Sequence, residues 1–445
     1  MKHIKKLSQT HLIVFSFICI ILIGSALLCL PISTRSDTPI PFTDALFTAT
    51  SASCVTGLIV ADTYSNWTLF GQIVIICMIQ IGGLGFMTIA SVFSVFSKKQ
   101  IGLAERNLLI QSAGTLRTSG IKALVRRVLL GTLIFEGIGA ILLSICFIPQ
   151  FGPVKGIYYS VFHSISAFCN AGFDLMGTNQ PFSSFTSQKG DLIINFTLMA
   201  LIVIGGIGFF VWNDIAQHKF AFKRYELHTK VVLVTSAVLI AGGAILFYIF
   251  ENNYSLKELN TFEKIIASLF GSVSPRTAGF NTVDLDKLSD SGSMLTNALM
   301  LIGGSPGSTA GGIKTTTVAV LFLSIVSAAK KENGITVFKR SLEESAIKNA
   351  ACVFFLYIAT LLSAVTVIAA LEPFPLKDIL FEVSSAIATV GLTTGITSQL
   401  TVSSHLILAF LMFFGRIGGM TFVLMLSERK SSPLLKRPKE KILIG

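Results

Sequence analysis

The run Ala388-Thr389-Val390-Gly391-Leu392 returns in degraded form at three other places in the chain. Val55-Thr56-Gly57-Leu58, Asn170-Ala171-Gly172-Phe173 and Thr277-Ala278-Gly279-Phe280 each follow a short run of Ser, Ala and Phe. The four glycines lie 115, 107 and 112 residues apart (172−57, 279−172, 391−279). A quarter of the 445 residues is about 111, so the period spans the whole protein and is too long for a solenoid unit. It predicts four fused copies of one small unit, at 1–100, 101–218, 219–330 and 331–445, the last with a tail.

Every quarter has the same plan. A long apolar run is followed by a shorter one (41–53, 156–168, 262–274 and 375–388), then the Gly motif, then another long run. At about 1.5 Å per residue, a helix as short as these reaches only halfway across a bilayer and must turn back. Pro41 and Pro375 suit the first turn of such helices, where a missing N–H costs nothing. Backbone that turns at membrane depth is tolerated only inside protein or around a water-filled cavity, so four re-entrant loops predict one central pore. The C-terminal ends of the short helices, each carrying about half a negative charge, would face its axis and favour a cation.

Composition agrees with a membrane setting. Hydrophobic residues make up 52% of the chain and charged ones 13%, with a strongly positive mean hydropathy, which excludes an ordinary soluble globule. Long apolar stretches at 11–30, 68–97, 124–148, 191–212, 230–250, 290–328, 349–371 and 404–426 are long enough to cross as helices. The expected class is an all-α integral membrane protein with eight transmembrane helices, embedded in membrane lipid. Its net charge of +12 comes largely from Lys and Arg clustered at 1–10, 98–127, 219–230, 330–348 and 429–441. These segments alternate with the rest, so they read as cytoplasmic, put both termini in the cytoplasm of a plasma-membrane protein, and leave no need for a nucleic-acid partner. Lys2, Lys5 and Lys6 precede the first apolar run, but its length and the lack of a small-residue cleavage site argue against a signal peptide. The seven Cys lie in or beside apolar runs and suggest no disulfide framework.

Glycine at the repeated motif has a chemical reason. Successive backbone carbonyls point at one axis only if the backbone alternates in handedness, and Gly reaches φ > 0 at little cost. Rings of four carbonyls replace the hydration shell of a potassium ion. The candidate filter is therefore Val55-Thr56-Gly57, Asn170-Ala171-Gly172, Thr277-Ala278-Gly279 and Thr389-Val390-Gly391, with the ion held at the four glycines. Paired glycines follow in each quarter, Gly82-Gly83, Gly205-Gly206, Gly303-Gly304 and Gly418-Gly419, which suits close helix packing.

On these motifs the chain resembles the Trk/Ktr/HKT superfamily of potassium transporters, and in detail the bacterial Ktr-type membrane subunit. The resemblance covers nearly the whole chain. It implies four helix–loop–helix repeats around one pore with one filter Gly each; Gly57, where some members carry Ser and tend toward sodium, implies potassium selectivity. It further implies a homodimer and a separate cytosolic ring of regulatory subunits binding ATP, ADP or NAD(H), with sodium as a possible activator. The basic loops and the tail from Ser427 could dock that ring or only set topology.

The third post-motif helix is interrupted by Gly303-Gly304-Ser305-Pro306-Gly307-Ser308-Thr309-Ala310-Gly311-Gly312-Ile313-Lys314. A phosphate-binding loop is excluded there because Ile313 occupies the place of its Lys. Irregular backbone in an apolar span should line a cavity, here just below the filter. In the resembled family a loop at this place is the intramembrane gate. Arg416, ionisable within the last apolar run, is expected to reach carbonyls of residues 305–312 or to project into the cavity as a barrier to cations. Lys314 is assigned the same role less specifically, and Glu136 is a candidate counter-charge. The chain shows no catalytic set and no cofactor motif. The alternative to a pore is a sodium- or proton-coupled carrier, which would show paired broken helices, whereas the sequence predicts one.

Overall fold

The structure is a computed structural model that describes residues 9–35, 40–85, 121–178, 180–219, 221–331, 334–419 and 421. In chain order the helices are α1 (Gln9–Leu28), α2 (Phe42–Cys54), α3 (Thr63–Asn66), α4 (Leu69–Leu84), α5 (Ile121–Phe151), α6 (Pro153–Phe168), α7 (Leu192–Gly206) and α8 (Phe209–His218). They continue with α9 (Leu227–Glu251), α10 (Thr261–Val273), α11 (Asp290–Leu301), α12 (Thr315–Ala329), α13 (Glu344–Leu371), α14 (Leu376–Ala388) and α15 (Val402–Ile417). A two-residue hairpin pairs β1 (Thr336–Val337) with β2 (Arg340–Ser341) between α12 and α13.

The short helices α2, α6, α10 and α14 each lead into one Gly motif. Pro41 and Pro375 take the N-cap position, one residue before the first turn. At α6 the start moves from 156 to 153, because Gly152 at φ 81° breaks the chain after α5 and Pro153 pre-sets the first helical residue. Asn260 and Glu263 form a capping box that starts α10.

The molecule is apolar outside, and its short helices carry polar groups into the interior. Helix α5 exposes Leu133, Ile134, Ile138, Ile141 and Ile145 along one side, α9 exposes Val234, Val238, Ile245 and Ile249, and Phe355 of α13 is 75% exposed. The short helices instead bury Thr48, Ser51 and Ser53, Ser160, His163 and Ser166, Ser268 and Ser272, and Glu382, Ser384 and Ser385. Such a surface would be costly in water and is at home in hydrocarbon. Helices α5 (from Val125), α9 and α13 are long and apolar enough to cross a membrane.

The post-motif helices are shorter than the runs 68–97, 191–212 and 404–426 suggest. Helix α4 stops at Leu84, α7 at Gly206 and α15 at Ile417; residues 86–97 and 422–426 lie outside the described residues. Each stop comes at a glycine with positive φ: Gly85 (79°), Gly208 (96°) and Gly418 (89°). Three residues earlier, Gly82, Gly205 and Gly415 lie directly against the carbonyls of Ser53, Phe168 and Ile387, each four residues before its motif glycine. The pairing of Gly418-Gly419 with Gly82-Gly83 is therefore corrected. The counterpart of Gly82 is Gly415, and Arg416 stands where the first two quarters have Gly83 and Gly206.

A second broken helix also corrects the expectation of one. At Gly206-Ile207-Gly208 the chain bends by 95° between α7 and α8. The break frees the carbonyl of Ile204, which accepts from Trp212 Nε1 at 2.9 Å.

Carboxylates at two helix ends tie the outer connections. Glu251 accepts from Ser289 N (3.0 Å) and Ser289 Oγ (2.6 Å), and Ser289 caps α11. Glu372 accepts from Thr401 N (2.8 Å), Thr401 Oγ1 (2.6 Å) and Ser404 Oγ (2.6 Å) at the start of α15. Burial pushes the Glu372 carboxyl up, but the bonds from Ser404 and Thr401 outweigh burial and hold its pKa below the ordinary 4.5.

Two predictions follow from this packing. A methyl group at Gly82, Gly205 or Gly415 meets a backbone carbonyl that cannot step aside, so each Ala variant should lose about 1–3 kcal/mol. Gly242 of α9 has open space around it, and Gly242→Ala should be neutral or stabilising by up to about 1 kcal/mol; thermal unfolding of the solubilised protein checks all four. Because the folded pKa of Glu372 is depressed, its stabilisation is complete above the unfolded value and fades as pH falls through the folded one. Thermal stability should therefore drop below roughly pH 4, and Glu372→Gln should be less stable at neutral pH with a flatter acid limb.

Candidate functional site

The four motifs meet around one axis. Each short helix is followed by a residue with left-handed backbone: Val55 (φ 57°) and Thr389 (54°) directly at the helix end, Asn170 (59°) two residues and Thr277 (72°) four residues past it. Two residues on stand Gly57 (95°), Gly172 (70°), Gly279 (80°) and Gly391 (94°). Positive φ is a genuine outlier for β-branched Val and Thr and costs on the order of 1–3 kcal/mol, so the surroundings must impose it.

Serines of the short helices supply that constraint. Thr56 N donates to Ser51 O, Ala171 N to Ser166 O, Ala278 N to Ser274 O and Val390 N to Ser385 O, at 2.8–2.9 Å. The side chains join in: Gly57 N donates to Ser51 Oγ and Gly391 N to Ser385 Oγ, both at 3.0 Å, while Ser166 Oγ donates to Phe173 O (2.7 Å) and Ser274 Oγ to Phe280 O. These bonds turn the N–H groups back toward the helices. The intervening carbonyls then face the neighbouring motif: a methyl on Gly57 would strike Ala171 O, on Gly172 Ala278 O, on Gly279 Val390 O, and on Gly391 Thr56 O. The cycle closes on itself in chain order.

Directly under this ring lies the segment from Gly303 to Lys314. Gly303 N donates to Ile313 O (2.9 Å) and Thr315 N to Gly304 O (3.0 Å), so the segment leaves and returns as a closed loop. It docks on the α7/α8 break: Ser305 N donates to Gly206 O (2.9 Å), Thr309 N to Gly205 O (3.3 Å), and Phe209 N to Gly307 O (2.8 Å). Pro306 lies at the same edge, its carbonyl against Gly208. Ser308 Oγ closes the turn on Ser305 O at 2.7 Å. Thr309 Oγ1 reaches Phe168 O (3.2 Å), Gly311 abuts Thr389, and Gly312 lies beneath Ala388 O.

Two cations hold the segment. Arg416 donates to Thr309 O, to Gly82 O and, at 3.0 Å, to Gly83 O, so one guanidinium links the segment to the end of α4. Lys314 Nζ donates to Ala310 O (2.7 Å) and Gly311 O (3.3 Å). Glu136 is not placed as their counter-charge: its carboxylate accepts from Gln80 Nε2 at 3.3 Å, and among the described residues neither cation has an ion pair.

The site has parts that the sequence reading did not include. Ser51, Ser166 and Ser385 each stand six residues before a motif glycine, a spacing visible in the sequence. The Gly-x-x-Gly spacing shared by 82–85, 205–208 and 415–418 was also there to be read. The left-handed Val55 and Thr389 had no local signal, since both types disfavour that backbone.

A predominantly helical chain, apolar toward its surroundings, that rings one interior axis with backbone carbonyls belongs to the class of membrane ion-transport proteins. Residues 5–435 match the TrkH family of cation transport proteins, and the chain belongs to that family; it is a transporter and not an enzyme. It is 40% identical to the potassium/sodium uptake protein NtpJ of Enterococcus hirae over 99% of this chain and 98% of that one. It is 38% identical to the Ktr system potassium uptake protein B of Bacillus subtilis over 99% and 97%. The crystal structure of the potassium transporter TrkH from Vibrio parahaemolyticus shares the fold, with a TM-score of 0.73 over 96% of this chain and 87% of that one at 18% identity.

Removing the guanidinium should loosen the segment beneath the ring. Hydrogen bonds to a charged donor contribute about 1.5–3 kcal/mol each, so Arg416→Ala should speed hydrogen exchange at Ser305 and Thr309 by roughly tenfold or more, with α10 unchanged. Unchanged exchange at both amides would mean that the segment is held by its backbone bonds alone.

Proposed function

We propose that this chain conducts potassium ions into the cell through a filter formed by Val55-Thr56-Gly57, Asn170-Ala171-Gly172, Thr277-Ala278-Gly279 and Thr389-Val390-Gly391. The observation that carries this reading is the closed cycle of carbonyls at Thr56, Ala171, Ala278 and Val390, each against the glycine of the motif before it around the axis. Such a ring offers oxygen ligands to a dehydrated cation and nothing to an anion. The relatives' names supply the ion: one is called a potassium uptake protein and the other a potassium/sodium uptake protein.

The rest of the reading follows the resemblance. The chain forms four fused repeats with boundaries at 1–100, 101–218, 219–330 and 331–445, giving eight membrane crossings in the plasma membrane with both termini cytoplasmic. The 303–314 segment, with Arg416, is the gate: it lies under the filter and presents two cations where a potassium ion must pass. The membrane subunit is a homodimer that sits on a cytosolic ring of nucleotide-binding regulators, in keeping with a relative named as part of a Ktr system. Sodium acts as an activator. The carrier alternative is not favoured by the second broken helix, because the groups freed at 205–209 are bonded to the 303–314 segment rather than turned to an open cavity.

Potassium-driven flux in liposomes tests both parts. Wild type should pass potassium over sodium, Gly391→Ser should lower that preference, and deletion of 305–312 should raise flux. A Gly391→Ser variant that conducts with unchanged selectivity would sink the filter assignment.

A further inference from the structure

Behind the filter, two side chains at one position of the short helices reach forward to the chain beyond the glycine. Nine residues before the motif glycine stand Thr48, His163, Phe270 and Glu382. His163 is fully buried; its Nε2 accepts from Leu175 N at 3.0 Å, three residues past Gly172, and its Nδ1 faces Tyr159 O at 2.7 Å. A ring nitrogen that accepts a backbone N–H fixes the tautomer, so Nδ1 carries the hydrogen and donates. The imidazole is wedged between Phe147 (ring centroids 5.5 Å apart) and Phe185 (5.1 Å).

Glu382, 1% exposed, does the corresponding work in the fourth quarter. Its carboxylate accepts from Thr393 Oγ1, two residues past Gly391, and from Thr397 Oγ1 at 3.0 Å. The other two quarters have no such tie: Phe270 is apolar, and Thr48 Oγ1 has no partner among the described residues. Since the motifs follow one another around the axis in chain order, the two tied quarters face each other across it.

We propose that His163 and Glu382 are paired positioning residues that set the stiffness of the filter, and so its discrimination between potassium and the smaller sodium ion. The proposal rests on the filter reading above. A carbonyl ring rejects a smaller ion to the extent that it resists closing around it, and the strand beyond each glycine can close inward only if its anchor gives. Two opposed anchors fix one diameter of the ring.

The test is the potassium-to-sodium preference of flux through the full chain in liposomes. His163→Leu and Glu382→Leu, which remove the acceptor, should each lower the preference by roughly tenfold, the scale of one buried hydrogen bond. His163→Gln and Glu382→Gln, which keep an acceptor oxygen, should retain most of it, and Thr48→Val at the same position should change nothing. Should a leucine variant fail to fold, the comparison of His163→Gln with the shorter His163→Asn, which cannot reach Leu175 N, carries the test. Leucine or asparagine variants that conduct with wild-type preference would overturn the proposal. If Gly391→Ser also leaves the preference unchanged, the filter reading itself has failed; if Gly391→Ser alone lowers it, only the anchoring role has.

Discussion

A backbone that leaves a helix at membrane depth has no water to take up its N–H and C=O groups, and each one left alone costs several kcal/mol. The centre of this molecule is arranged around that constraint. At every motif an N–H is returned to a serine at the end of the preceding short helix, at Gly57 and Gly391 a second one as well, and the carbonyls are left to line the axis. The division is chemically decisive: a path with its donors consumed and its acceptors free accommodates cations. The C-terminal ends of α2, α6, α10 and α14 add their partial negative charge to the same side of the balance.

The same constraint governs the 303–314 segment. Breaking α11 from α12 exposes backbone groups at 303–314, and breaking α7 from α8 exposes those at 205–209; each break supplies the other's partners. Carbonyls that remain, at Thr309, Ala310 and Gly311, are taken by Arg416 and Lys314. Each cation thus serves twice. It satisfies acceptors that a continuous helix would have used internally, and it sets positive charge close to the ring of motif carbonyls, where low dielectric strengthens its field. Charge placement and anchoring are one interaction, so whatever draws Arg416 away removes both.

Much of this was legible in the sequence. The period near 111 residues, the half-length apolar runs and the motif glycines required only counting, because a re-entrant loop needs a short helix and a residue tolerant of positive φ. The break at 303–312 was equally plain in its density of Gly and Pro. What escaped was register. Paired glycines catch the eye, so Gly418-Gly419 was matched to Gly82-Gly83, whereas the physical requirement is a glycine over a short-helix carbonyl and another three residues later to end the helix. Gly-Arg-Ile-Gly meets that requirement without a pair. The break at 206–208 was hidden for a related reason: two glycines in an apolar run are tolerated in membrane helices, and only the docking partner decides that the helix bends. The left-handed Val55 and Thr389 are imposed by the fold against local preference.

The departures from fourfold likeness are concentrated where one element has to differ. In the third quarter the N–H of Ala278 reaches back four residues to Ser274, where the other three motifs reach back five. Gly303, in place of Gly82, Gly205 or Gly415, lies against Gly311 rather than a carbonyl of α10. Helix α11 ends at Leu301, so no continuous helix presses a glycine onto the short helix there, and the 303–314 segment fills the vacated side. Opposite constraints then appear in the fourth quarter, where Arg416 replaces a glycine and crosses to hold that segment against α4. Four equal quarters would carry four such segments or none. Relaxing the packing rule in one quarter, and lengthening one side chain in the next, makes room for a single segment beneath the ring and supplies the group that keeps it in place.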